Sequence, residues 1–359
     1  MKFAKYSVYV IIFGAMACSS PKIDNVIDVN LQSKEAPSID INHVIPLSIQ
    51  DNALISSHYR LCITSKYYII GEIKKIVVFT KEGKIYSVID AIGNGPGEVH
   101  EFSHFWADDE SILIMNVGKK QILEFDFTGR YVKTTELSHM YGNFARFNSI
   151  YLFDDQVNMV GSDSILVIAD KEMHMIRQEI QAIAKGYNYG DNSFQITKEY
   201  ALYLPSFNNT IYKINKIGVV IPYYTFNFGS YWASMEDINR VVEVPSKDSS
   251  ILLKYFKQND KVSFLKYIDS PDWIILNFEK QNYIFNWFFN KNREQQYVVK
   301  FSNNEELNSL LQYNIVGTEG GLFIALVSAF NYQNIEGLPK INISDEDNPI
   351  LVFFKLNNP

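Results

Sequence analysis

The chain has 359 residues, 47% hydrophobic and 20% charged, the usage of a folded globular protein rather than a disordered, collagen-like or coiled-coil chain. A formal net charge of −7 argues against nucleic acid as a partner, because phosphate contacts need a basic face. Aromatic residues reach 14%, with 23 Tyr and 25 Phe, a content that favours strands over helices.

The chain opens with a segment that is not part of a fold. Lys2 and Lys5 are followed by the mostly apolar run Tyr6 to Phe13, then by Ala15-Met16-Ala17 and Cys18. The run is too short to span a bilayer, and a basic, apolar and small-residue succession is the pattern of a secretory signal peptide. The apolar-small-Ala-Cys ending resembles the lipobox of bacterial lipoproteins, in which the cysteine is acylated and becomes the mature N-terminus. The sequence thus predicts a signal peptide over 1–17, lipidation at Cys18, and a membrane partner through that anchor. Residues 18–37 are polar, carry Pro21 and Pro37, and read as a flexible tether. The expected address is the bacterial envelope, at the outer membrane, with the periplasmic face and the cell surface both open. The other cysteine, Cys62, sits in the strand-like Tyr59–Ile63 and is expected to be a buried thiol, so disulfides do not staple this chain.

From residue 38 onward short apolar runs recur every 8–12 positions, separated by turn residues: Tyr67–Ile70, Ile76–Phe79, Ile112–Met115, Ile165–Ile168, Trp273–Leu276 and Leu322–Val327. A hairpin landmark repeats along them. Phe79-Thr-Lys-Glu-Gly83-Lys84 recurs as Phe125-Asp-Phe-Thr-Gly129-Arg130 and more loosely as Ile214-Asn-Lys-Ile-Gly218. Glycine at that place accepts a positive φ and lets the chain return as a strand. Weaker copies stand at Glu172, at Asn292 and at Asn357. A period of about 45 residues with several strands per unit is the mark of propeller blades. Six landmarks make six blades of four antiparallel strands over 38–359. The last unit ends after its third strand, and Ile39–Ser48 can supply the fourth and close the ring. The surplus between Gly218 and Asn292 places an insertion near 230–260, helical around Ser234–Val242. Seven blades, or a sandwich with an accessory lobe, would follow if the weak copies at 172 and 292 fail.

The segment Ile92-Gly-Asn-Gly-Pro-Gly-Glu98, the C-terminal Asp345-Glu-Asp-Asn-Pro-Ile-Leu-Val-Phe-Phe-Lys355, the lipobox and the Phe-x-x-x-Gly-Lys hairpin together resemble the six-bladed β-propeller lipoproteins of Bacteroidetes. The resemblance covers roughly residues 38–359. It implies a propeller related to NHL-type repeats on an envelope lipoprotein, and it brings no catalytic set with it. The departures are the degenerate third repeat and the insertion after blade 4.

Several motifs bear on chemistry. His100-Glu101-Phe102-Ser103-His104 matches the His-Glu-x-x-His pattern of zinc proteases, where a helix turns both histidines to one metal. The glycines at 93, 95 and 97 leave little room for that helix, and a third ligand such as His139 is only a candidate. Gly93–Gly97 resembles a phosphate cradle but lacks the Lys-Ser/Thr that a nucleotide loop carries. Carboxylate pairs stand at Asp108-Asp109, Asp154-Asp155 and Asp345-Glu346-Asp347. Tyr187, Tyr189, Tyr231 and Trp232 sit among Gly, Asn and Ser in expected loops, where aromatic rings suit sugar or peptide. The reading is a non-catalytic envelope lipoprotein without a cofactor, binding a glycan, a peptide or a partner protein through those aromatics. The alternative is a propeller lyase or hydrolase, metal-dependent through His100, Glu101 and His104.

Overall fold

The computed structural model describes residues 25–32, 35–55, 60–100, 104–155, 163–183, 193–242, 249–262, 265–302, 308–313 and 315–358. Six antiparallel four-stranded sheets stand in a ring, making a six-bladed β-propeller. Blade 1 comprises Arg60–Ile63, Tyr67–Gly71, Ile76–Thr80 and Ile85–Ile89, and blade 2 Phe105–Ala107, Ile112–Asn116, Gln121–Phe125 and Tyr131–Glu136. Blade 3 comprises Asn143–Phe147, Ile150–Asp154, Ser164–Ala169 and Met175–Gln181, and blade 4 Phe194–Ile196, Ala201–Tyr203, Thr210–Ile214 and Val220–Asn227. Blade 5 comprises Lys266–Asp269, Trp273–Lys280, Tyr283–Asn290 and Gln295–Ser302. Blade 6 takes Ile315–Glu319, Leu322–Val327 and Ile350–Asn357, and its fourth strand is Ser38–Pro46, paired antiparallel with Ile350–Asn357. That pairing joins the two ends of the chain and removes an open sheet edge.

The apolar side chains of each blade alternate between its two faces, and the buried ones gather into six clusters, one per seam. Cys62 is buried in the seam of blades 1 and 2, and burial pushes its thiol pKa up. Polar latches cross the seams as well. Ser65 N donates to Asp109 at 2.6 Å, and Arg146 forks onto Asp108 at 2.6 and 2.5 Å. Gln195 holds both the amide and the carbonyl of Asp269, at 2.8 and 2.6 Å. Asn286 donates to Leu311 O at 2.6 Å, and Glu319 accepts from Tyr68 and Lys81.

The hairpin landmark is one structure in four blades. Gly83, Gly129, Met173 and Gly218 each hold positive φ (78°, 87°, 66° and 78°) and each donates N–H to the carbonyl three residues before. In blade 3 the position belongs to Met173, one residue beyond the expected Glu172. In blade 5 the turn is longer, and Glu294 rather than Asn292 takes the left-handed conformation (φ 54°).

The insertion between blades 4 and 5 carries two helices, Met235–Val242 and Ser249–Gln258. Of the segment expected as a tether, residues 25–32 and 35–37 are ordered against the ring. Val26–Asp28 pairs in parallel with Thr225–Asn227 as a fifth strand of blade 4. Ile27, Val29 and Leu31 pack against the seam of blades 4 and 5. Gln296 of blade 5 accepts from Asn30 N at 2.8 Å and donates to Asp28 O at 2.7 Å. No helix among the described residues is long and apolar enough to cross a membrane. The signal peptide and Cys18 lie outside the described residues.

Candidate functional site at the channel mouth

Antiparallel order gives the ring two unlike sides. The links between first and second and between third and fourth strands fall on one side, and they are short. The links between second and third strands and between blades fall on the other, and they include 90–104, 182–193, 228–265, 303–314 and 328–349. The innermost strands line the central channel, and their first residues stand at its mouth on the long-loop side.

Three polar residues stand at or just before such positions on blades 1, 3 and 4. Arg60 opens blade 1, Asn143 opens blade 3, and Ser193 precedes blade 4. They form one chain of contacts across the channel. Arg60 donates to Asn143 Oδ1 at 3.0 Å, Asn143 Nδ2 donates to Ser193 Oγ at 3.4 Å, and Ser193 Oγ donates to Asp154 Oδ2 at 2.9 Å. Asp154 ends the second strand of blade 3, Asp155 follows it, and both are fully buried. The Arg60 guanidinium also lies over the Trp106 ring, 5.4 Å from its centroid, a cation–π arrangement.

Two further polar groups stand at the mouth. The Trp106 indole N–H is buried without a partner, and the buried Tyr203 hydroxyl lies against the Asp154 carboxylate. Both side chains belong to the packing between blades 3 and 4. Burial pushes the Tyr203 hydroxyl well above its usual pKa, and the neighbouring Asp154 carboxylate adds to the effect. Tyr203 is therefore a neutral donor at all physiological pH values. A cation, two carboxylates, a primary amide, two hydroxyls and an indole thus gather at this end of the channel, with Asn143, Ser193, Tyr203, Asp154 and Asp155 all buried.

A second polar group lies at the short-turn end. Asp269 accepts from Lys291 at 2.6 Å, and Lys213 lies 4.1 Å from the Tyr200 ring and 5.2 Å from Tyr223. Burial raises the Asp269 pKa, with Lys291 and then Lys213 acting in the opposite sense.

The residues marked from the sequence are placed differently. Tyr187, Tyr189 and Glu101 lie outside the described residues. Tyr231 is 39% exposed in the insertion, with Lys280 4.3 Å over its ring. Trp232 is half-buried and stacks on Phe228 at 5.5 Å, so much of its surface is spent on the seam of blades 4 and 5. His100 is exposed near Gly118, and His104 uses its carbonyl to accept from Met115 N at 2.8 Å. His139 meets Tyr141 edge-on at 6.5 Å. Among the described residues no three His, Cys, Asp or Glu side chains converge on one point. The Gly93–Gly97 loop closes on its own carboxylate, with Gly95 N donating to Glu98 at 2.7 Å. Of the three carboxylate pairs, Asp108-Asp109 latches seams and Asp345-Glu346-Asp347 caps a turn through Ser344. Of the third pair, Asp154 joins the contacts at the mouth through Ser193.

The profile of a family described as "Domain of unknown function (DUF4934)" matches residues 25–355. The chain belongs to that family. The matched span starts at Asn25, so it takes in the added strand of blade 4 as well as the ring. No curated protein matches this DUF4934 chain. Among solved structures it is similar to a candidate exported protein of Bacteroides fragilis, with a TM-score of 0.79 at 16% identity, covering 93% of this chain and all of that one. It is also similar to a DUF4221 family member of Bacteroides vulgatus, with a TM-score of 0.50 at 12% identity, covering 90% of this chain and 99% of that one. At these identities the likeness shows the fold of DUF4934 and nothing of its ligand.

Proposed function

We propose that this chain is an exported lipoprotein, held at the envelope by acylated Cys18, that binds a glycan at the channel mouth on its long-loop side. The observation carrying the reading is the layer formed by Arg60, Trp106, Asn143, Ser193 and Tyr203, with the buried Trp106 indole N–H left unspent. A sugar offers hydroxyls that accept from an indole, a phenol and a guanidinium and donate to an amide and carboxylates, and such convergent polar groups around an aromatic side chain are what a saccharide site requires. The role is binding rather than turnover, since Asp154 already serves the seam of blades 3 and 4 through Ser193. The sequence patterns at Lys2–Cys18 support export and the anchor.

The test is calorimetric titration of the soluble chain, residues 19–359, with a panel of envelope and host oligosaccharides. The expected result is a saturable site weakened at least tenfold by Arg60→Ala and by Asn143→Ala. Binding indifferent to both substitutions would contradict the reading, as would capture of peptides in place of every sugar.

A further inference from the structure

The way the chain enters the fold says which side meets the lipid. Val26–Asp28 runs parallel to Val220–Asn227, with Val26 opposite Thr225, and Asn25 donates from Nδ2 to Tyr223 O at 3.2 Å. The parallel pairing therefore has the segment enter its strand from the end of blade 4 that carries the 215–219 turn. Six residues separate Asn25 from Cys18. A fully extended link of that length spans at most about 25 Å, comparable to the length of the strand Val220–Asn227.

That turn is apolar where turns are ordinarily polar. Ile217 at its tip is 73% exposed, above every other large apolar side chain among the described residues. Val219 and Ile221 follow at 39% and 49%, and Val26 at 57%. Val219 and Ile221 share one side of the sheet, and a bulge in the pairing of Thr210–Ile214 with Val220–Asn227 puts Val26, opposite Thr225, on the other side. The turn also carries cations. Lys216 is exposed and reaches Glu199 at 3.2 Å, and Lys198 is exposed beside it. Lysines around a projecting aliphatic tip fit an interface of lipid headgroups and acyl chains.

We infer that the 215–221 edge of blade 4 rests on the lipid surface that holds the Cys18 anchor, with Ile217 inserted among the acyl chains. The long-loop mouth of the channel then faces away from the membrane, open to ligand. This inference rests on the anchor reading above, and its occupant is the bilayer.

The test uses the full processed protein in nanodiscs of phosphatidylethanolamine and phosphatidylglycerol. Intact mass of the N-terminal peptide reports acylation of Cys18. Nitroxide is placed by Ile217→Cys, and by Ile73→Cys and Phe330→Cys on the long-loop side, where the native side chains are 60% and 61% exposed. Cys62 is buried and takes no label. Accessibility to lipid-dissolved oxygen is compared with accessibility to a water-soluble nickel chelate. The expected oxygen-to-nickel ratio at 217 is several-fold higher in nanodiscs than in the unacylated soluble chain, with 73 and 330 unchanged. An acylated protein whose three labels behave alike overturns the inference and leaves the anchor reading standing. Loss of nickel access at 217 without a gain in oxygen access means that protein covers the edge, and it also overturns the inference. An unacylated Cys18 overturns both.

Discussion

The N-terminal chain crosses two seams of the ring in two different ways. At blade 6 the strand Ser38–Pro46 supplies a full fourth strand, paired with Ile350–Asn357 from end to end with one bulge between Ile41 and His43. At blades 4 and 5 the segment Asn25–Gln32 adds a three-residue parallel pairing and an alternating apolar stripe to sheets that are already complete. One contact closes a circle, since without it blade 6 has three strands and an open edge. The other lies outside a closed circle and fixes where the chain leaves it. Ring closure and the outer docking are thus separate contacts of neighbouring residues, and each can be removed without the other.

The largest expected effect is on closure. A chain beginning at residue 47 should lose cooperative unfolding in a calorimetric scan, whereas one beginning at residue 33 should keep it, at a cost of about 2–4 kcal/mol for the half-buried Ile27, Val29 and Leu31. Next comes the site where blade 1 meets the closing strand. A Cβ on Gly83 would lie 2.4 Å from Pro46 O, at φ 78°, so Gly83→Ala should destabilise by about 3 kcal/mol. Gly129, with the same conformation but ordinary contacts at 3.4–3.5 Å, should cost only about 1 kcal/mol as Ala. Urea titrations of the two variants separate strain from collision.

Two smaller effects concern the seams themselves. Burial raises the pKa of Tyr203 and Tyr267, and with hydrogen bonding or nearby charge that of Tyr68 and Tyr223. The folded state therefore keeps protons that the unfolded chain releases near pH 10. The stability they contribute is whole below about pH 10 and is lost as pH rises from there through the folded values. Tyr203→Phe should soften that alkaline slope in urea titrations run across about pH 8–11. The smallest expected effect is Glu294→Gly, which relieves a left-handed residue on the exposed turn of blade 5 and should add about 0.5 kcal/mol in the same titration.

Much of the ring was legible in the sequence, because a blade is built from local signals. The hairpin glycines at 83, 129 and 218 mark three consecutive-strand turns directly, and the closing strand is an apolar alternation with no local partner. The copy in blade 3 is displaced by one residue because Met173 tolerates the conformation that glycine marks elsewhere. The docked segment was hidden by its polar composition, although Ile27-Asp-Val29-Asn-Leu31 alternates as a strand does. The channel mouth was not legible, apart from Asp154-Asp155. Arg60 and Asn143 are 83 residues apart, and what joins them is that each opens the innermost strand of its blade. The loop aromatics drew attention by composition, but Trp232 shows that an aromatic beside glycine and serine can be spent on a seam.

The most direct test of the account is the crystal structure of the soluble chain with the oligosaccharide it binds most tightly. The account predicts a sugar ring at the long-loop mouth, within hydrogen-bonding distance of Arg60 and Asn143 and of the Trp106 indole N–H. A sugar held at Tyr231 on the insertion, or at Lys213 and Tyr200 on the short-turn side, with the mouth unchanged, would contradict it.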